Sequence, residues 1–145
     1  MIRATAVIAR LQTLVPDTLR SIGGASELAN ITEVLKFSKA SYVFPRADEE
    51  VTPNDLATGA TRQRVSRRFT VATGFVRVGQ NNIENSLDDI DDTSEAIKNL
   101  LIGWTPDGEQ APVEYAGGGI IDADFNQGFV IWGNDFRCPY YVRAT

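Results

Sequence analysis

Val7, Ile8, Leu11, Leu14 and Val15 fall at i, i+1, i+4, i+7 and i+8, a stripe on one helical face that Pro16 must end. "TLRSIGG" (18–24) is too short for a helix and closes on two glycines, so it predicts a short edge strand and a turn. In "ASELANITEVLK" (25–36), Ser26 can cap a second helix that turns Leu28, Ile31 and Leu35 inward. "SYVFP" (41–45) predicts a strand ended by its proline. Residues 46–64, "RADEEVTPNDLATGATRQR", are polar, contain Pro53 and Gly59, and predict a long loop of the kind that carries function.

Alternation returns in "VSRRFTVATGFVRVG". Phe69, Val71, Thr73 and Phe75 fall on one side and Arg68, Thr70, Ala72, Gly74 and Val76 on the other, which predicts a central strand. Ser86 is a candidate cap for a further helix, with Asp89 three residues on as a capping box requires. Asp88, Asp89, Asp91 and Asp92 would then lie near the positive end of its dipole. Leu87, Ile90, Ile97, Leu100 and Leu101 would form its buried face, and Gly103 and Pro106 would end it. "PVEYAGGGIIDAD" and "GFVIWGNDFRCPYYV" predict two more strands, with a turn near "GND". In the second, Phe136, Cys138, Tyr140 and Val142 share one face, and Arg137, Tyr141 and Arg143 the other.

The order predicts an α+β fold: a largely antiparallel or mixed sheet of four to five strands, flanked by two to three helices, with one long loop. With 145 residues, 43% of them apolar, one domain over residues 1–145 is expected. No internal repeat or low-complexity tail interrupts it.

Charge and chemistry then narrow the function. Lys plus Arg total 14 against 19 Asp plus Glu, a formal charge of −5 that argues against a general nucleic-acid coat. Cys138 is the one cysteine, so no intramolecular disulfide can form and a cytosolic assembly site fits. The apolar run at 4–9 is cut by Thr5 and ended by Arg10, too short for a signal region, and no segment approaches the roughly 20 apolar residues of a membrane span. A soluble protein is expected.

Without histidine, Ser-His-Asp and Cys-His catalysis and imidazole-ligated metals are impossible. "LDDIDD" lacks the spacing and central glycine of an EF-hand, and a helix start explains it. Asp122 and Asp124 alternate on a strand as a conceivable carboxylate pair, but exposed strand carboxylates are commoner than catalytic ones. "AGGGII" lacks the Lys-Ser and following helix of a phosphate loop, and a twisted strand end closely approached by another backbone is the better reading. No catalytic residue, cofactor or metal is expected.

The strongest charge signal is "RQRVSRR", with four arginines in seven residues. It can contact phosphate, form a plain solvated face or, better suited to an acidic protein, form forked bonds to an acidic neighbouring subunit. Trp132, Phe136, Tyr140 and Tyr141 lack the basic-aromatic context of an RNA-binding sheet, so core and interface packing is expected.

The succession of motifs resembles the tail terminator proteins of long-tailed bacteriophages over nearly the whole chain. It comprises a starting helix, "SIGGASELANI", "SYVFP", the acidic-to-arginine loop, "RRFTVATGFV", and an acidic helix leading into "LLIGWTPDGEQAPVEYAGGGI". Its most specific part is Gly103-Trp104, Pro106, Tyr115 and the glycines 117 to 119, followed by an aromatic strand with Phe136 and Tyr140 or Tyr141.

The resemblance implies a non-enzymatic virion protein, assembled in the host cytoplasm, that forms a homo-hexameric ring on the last ring of the tail tube. There it would stop tube polymerisation and join the tail to the connector or stopper protein of the head, touching DNA only as it passes. On that reading Arg62, Arg64, Arg67, Arg68, Trp132 and Tyr141 are expected at the subunit or tube interface. Asp48, Glu49 and Glu50 would line the channel, where negative charge keeps DNA from sticking. A head-completion or stopper protein is the nearest alternative, and a single-stranded nucleic-acid-binding domain is the alternative of another class.

Overall fold

The computed structural model describes residues 1–26, 39–50, 62–76, 83–124 and 128–143. Among them are two α-helices, α1 (Ala4–Leu11) and α2 (Ile83–Leu101). The strands are β1 (Ser21–Gly24), β2 (Ala40–Pro45), β3 (Glu49–Glu50), β4 (Arg62–Val76), β5 (Glu114–Asp124) and β6 (Phe129–Arg143). They form one mixed sheet in the order β1-β2-β4-β6-β5, with β3 also paired to β4. β1 runs parallel to β2 and every other pairing is antiparallel. The fold is therefore α+β with β4 central, as its alternation predicts. The helix expected at 25–36 lies almost wholly outside the described residues.

The spine of the sheet is a ribbon of β4 and β6, paired continuously from Arg62↔Arg143 to Val76↔Phe129. β2 covers β4 from Phe69 to Gly74 and β3 covers Val65 and Ser66, while β5 covers β6 from Phe129 to Arg137. Among the described residues, the end of the ribbon around Arg64 and Tyr141 therefore runs past both neighbours as two strands. Apolar residues would not sustain such an arm in water, and its sequence is rich in arginine and tyrosine.

α1 and α2 lie against one face. Val7 and Leu11 of α1, Ile97 and Leu101 of α2, and Val43, Phe69, Val71, Phe136 and Cys138 of the sheet share the main core. Phe69 and Phe136 stack at 5.5 Å between ring centroids. Further along α2, Ile90 packs with Phe75 and Val130. The opposite face carries a smaller cluster of Phe44, Ala72 and Ile131.

Complete burial of Ile97 and Leu101 contributes roughly 1.5–3 kcal/mol each, which outweighs the few tenths of a kcal/mol lost per like-charge pair on the acidic outer face of the helix. The core, and not surface charge, holds α2 in place. Its last turn is closed by a glycine with φ of +82° at Gly103, whose N–H bonds to the Val113 carbonyl at 2.9 Å. Val113 N–H returns the bond to Trp104 at 2.8 Å. Arg10 of α1 donates from Nε to the Leu100 carbonyl at 3.3 Å while its guanidinium lies 5.2 Å from the Trp104 ring. The "GWTP" stretch is thus a helix stop that also fastens α1 to α2, with the positive charge at the negative end of the dipole.

Several expectations are corrected. The loop predicted at 46–64 contains β3 and the first residues of β4, because a solvent-facing ribbon alternates polar with polar and leaves no hydrophobic period to read. α2 begins at Ile83, so Ser86 lies inside the helix and the aspartates begin about one turn further from its start than expected. Leu87, expected to be buried, is 54% exposed. "GND" is not a turn: Gly133, Asn134 and Asp135 lie within β6, each paired on both sides, and β5 ends at Asp124 while β6 begins at Phe129.

Candidate assembly surface

Strand alternation divides the arginine segment between two faces. Arg67 shares the helix-bearing face with Phe69, whereas Arg64 and Arg68 lie on the opposite face with Thr70 and Ala72. The compact patch suggested by four arginines in seven residues is therefore two separate arrangements. Arg62 is the first residue of β4, in register with Arg143.

On the helix side, Arg67 Nη1 lies 3.3 Å from Asp48 Oδ1, and Tyr140 donates its hydroxyl to Asp48 Oδ2 at 3.1 Å. Burial first, and then this hydrogen bond to Asp48, raise the Tyr140 phenol above its ordinary pKa and keep it a donor. Asp48 thus fastens the segment after β2 across β4 to β6. Arg67 and Asp48 meet each other within the chain. Glu49 is exposed and paired in register with Ser66, and Glu50 follows it opposite Val65.

On the other face, Arg68 stands across from Arg137, and Arg137 Nε meets Glu114 Oε2 at 2.9 Å. Three strands so carry a row of one carboxylate and two guanidinium groups. Among the described residues neither Arg64 nor Arg68 has an ion-pair partner. Tyr141, opposite Arg64 in register, is 43% exposed, and Val142 beside it is 47% exposed. Half-buried Arg64 and Arg68 and exposed Tyr141 thus share one face of the ribbon, a combination that suits a protein interface.

Trp132 is placed differently. It packs partly buried near Phe75, Ile90 and Val130, and donates from Nε1 to Asn134 Oδ1 at 3.3 Å. The same oxygen accepts from Ser94 of α2 at 3.0 Å and from Tyr115 of β5 at 3.5 Å. Asn134, 1% exposed, therefore joins α2, β5 and β6, and its Nδ2 has no partner. The sequence reading missed this residue because Gly-Asn-Asp is ordinarily a turn. Burial and the nearby Asp135 charge both raise the Tyr115 phenol.

The glycine tract lies on β5, one edge of the sheet, and at Gly118 the expected close approach is present. An added Cβ there would stand 2.6 Å from the Tyr115 hydroxyl, 2.9 Å from Asn134 Oδ1 and 3.0 Å from the Gly133 carbonyl. Beside it, on the face opposite α1 and α2, lies a trough of about 420 Å³ between Arg46, Thr70, Ile121 and Asp135, floored by glycine backbone. Asp135 accepts a hydrogen bond from Thr70. Asp122, exposed, accepts from the backbone N–H of Ala123 at 2.9 Å, as a solvated strand carboxylate does.

Cys138 is buried and donates to the Ala111 carbonyl at 3.4 Å. Burial pushes its thiol up to about 11, with Glu109 adding to the effect, which makes it a poor nucleophile. No group of three or more Cys, Asp or Glu side chains among the described residues is placed to hold a metal, and no described helix is long and apolar enough to cross a membrane. Among the described residues the arrangement offers contact surfaces, and the Cys138 thiol bonds a backbone carbonyl and no base.

No curated protein matches the sequence. Among solved structures, the chain is similar to one from the virion of a native gene transfer agent particle, with 12% identity, 97% of this chain and 94% of that chain covered, and a TM-score of 0.48. It is also similar to the sheath/tube terminator of an extracellular contractile injection system in its extended state, with 9% identity, all of this chain and 58% of that chain covered, and a TM-score of 0.44. The sequence itself matches a family of virion tail components over residues 1–145, and the chain belongs to the phage tail terminator protein family.

Proposed function

We propose that this protein closes as a homo-hexameric ring on the last ring of a tail tube, ends tube polymerisation, and presents the surface to which the head's connector or stopper protein binds. The observation that carries the reading is the family match over the whole chain. The arm supports it: among the described residues its two-stranded end carries Arg64 and exposed Tyr141, with Arg68 further in on the same face, and this suits contact with another protein.

Within this reading the expected interface residues divide into two roles. Exposed Tyr141 and half-buried Arg64 and Arg68, on one face of the ribbon, are assigned to contact with a neighbour or the tube, with Arg62 at the same end of the ribbon. Arg67 acts through Asp48 by stiffening the arm, and Trp132 through Asn134 by fixing β6 against α2. Of the three acidic residues assigned to the channel wall, Asp48 brings a charge already offset by Arg67, so Glu49 and Glu50 supply the repulsion that keeps passing DNA mobile. The role is mechanical and needs no turnover.

Tube subunits polymerising in vitro test the reading. Added in amounts well below the tube protein, the purified chain should shorten the tubes in proportion to dose and be found at one end of each. Tubes of unchanged length at all doses would overturn it.

A further inference from the structure

The outer face of α2 carries Asp88, Asp91, Asp92 and Glu95 at i, i+3, i+4 and i+7, all exposed. None has an ion-pair partner among the described residues, and neighbouring carboxylates at these spacings repel one another. Asp89, one position round the helix, is different, with Lys39 Nζ at 2.8 Å. Among the described residues, then, one stripe of negative charge is left uncompensated, and so are Arg64 and Arg68.

These two surfaces cannot meet within one molecule. Arg64 and Arg68 lie on the face of β4 opposite the helices, and the acidic stripe lies on the side of α2 turned from the sheet. They also lie towards opposite ends of the ribbon, since Ile90 packs at the Phe75↔Val130 pair and Arg64 faces Tyr141 near the other end. Their lengths agree. Arg64 to Arg68 spans about 13 Å of strand, and Asp88 to Glu95 spans about 10 Å of helix. Each has an exposed apolar neighbour, Tyr141 beside Arg64 and Leu87 beside Asp88.

We infer that the partner of the Arg64–Arg68 face is the acidic outer stripe of α2 on a second copy of this chain. Joining two different surfaces makes the contact heterologous, so each copy offers one free arginine face and one free acidic stripe until rotation closes the ring. The inference rests on the proposed ring and adds which two surfaces form its joint. Guanidinium groups fit carboxylates by forked bonds, which sets the register between copies as well as attracting them.

Charge exchange tests it in particles from which the native gene has been removed. Arg64→Glu with Arg68→Glu, and separately Asp91→Lys with Asp92→Lys, should each lower the yield of complete particles at least about tenfold. All four substitutions in one chain should restore most of that yield, because the reversed surfaces again match. Either pair assembling normally, or a four-fold variant that melts like the native chain yet assembles no better than the pairs, would overturn the inference.

A second test needs no charge reversal. Arg68→Cys with Asp92→Cys, treated with a short thiol cross-linker in purified tails, should give a ladder of covalent multimers that neither single substitution gives, the buried Cys138 staying unreacted. A ring visible at the tube end with no ladder would overturn this joint and leave the ring standing. Absence of any ring would overturn the proposed function and this joint together.

Discussion

Arg68 of β4 stands directly opposite Arg137 of β6, and Glu114 on β5 forms its 2.9 Å ion pair with Arg137, leaving Arg68 facing a like charge. Directly opposed like charges destabilise a strand pair, so this residue is retained at some loss to the isolated fold. Arg68→Thr should leave the melting temperature unchanged or raise it, by no more than about 0.2–1 kcal/mol of stability, while tube capping declines. Thermal unfolding and the tube-length assay on the same preparation check this. The stability difference should shrink in high salt, which screens exposed charges.

The three glycines of "AGGG" should respond unequally although they are adjacent. Gly118→Ala places a methyl against the Tyr115 hydroxyl, Asn134 and the Gly133 carbonyl, and should cost about 1–3 kcal/mol. Gly117 has φ of +115°, so alanine there should also be costly, of order 1–3 kcal/mol, through backbone strain alone. Gly119 has nothing within 4 Å of an added Cβ, and Gly119→Ala should be neutral or gain up to about 1 kcal/mol. Urea midpoints of the three variants give the order directly.

Asn134→Ala removes the acceptor shared by Ser94, Trp132 and Tyr115, leaving the indole N–H and a buried hydroxyl without it. A loss of roughly 2–4 kcal/mol is expected, against about 1 kcal/mol for Ser94→Ala. A double-mutant cycle of the two should show coupling, and strict additivity would contradict the shared acceptor.

Cys138 gives the pH dependence its sign. Its thiol pKa is raised from 9.0 to about 11, so the folded chain holds that proton more tightly than the unfolded chain. Its contribution is fully present below pH 9 and is lost as pH rises through about 11, a change on the order of 2 kcal/mol. Tyr140 and Tyr115, also raised, lose their contributions in the same direction above pH 10. Denaturation of the native chain and Cys138→Ala compared at pH 8 and pH 10.5 should show a shallower alkaline decline in the variant.

The sequence made the elements with a clear hydrophobic period legible. α1 showed itself by Val7 and Leu11, the centre of β4 by Phe69, Val71 and Phe75, and the end of α2 by Gly103 and Pro106. It failed where local chemistry is overridden by packing. Gly133 and Asn134 read as a turn, yet Ile121 lies over Gly133, and Asn134 is the buried hub of three hydrogen bonds. The arginines of 62–68 were visible as a run, but their division between two faces depends on β4 extending back to Arg62, which the loop predicted at 46–64 did not foresee. Asp48's ties to Arg67 and Tyr140 join residues far apart in sequence and could only emerge with the strand register.

The central claim, that this chain ends tail growth, is tested most directly by tail lengths in particles made without its gene, measured by negative-stain imaging of the lysate. The account predicts overlong, uneven tails beside unattached filled heads, both corrected when the gene is supplied in trans. Tails of normal and uniform length would contradict it, and if they lay beside empty or leaking heads the protein would belong to the neck instead.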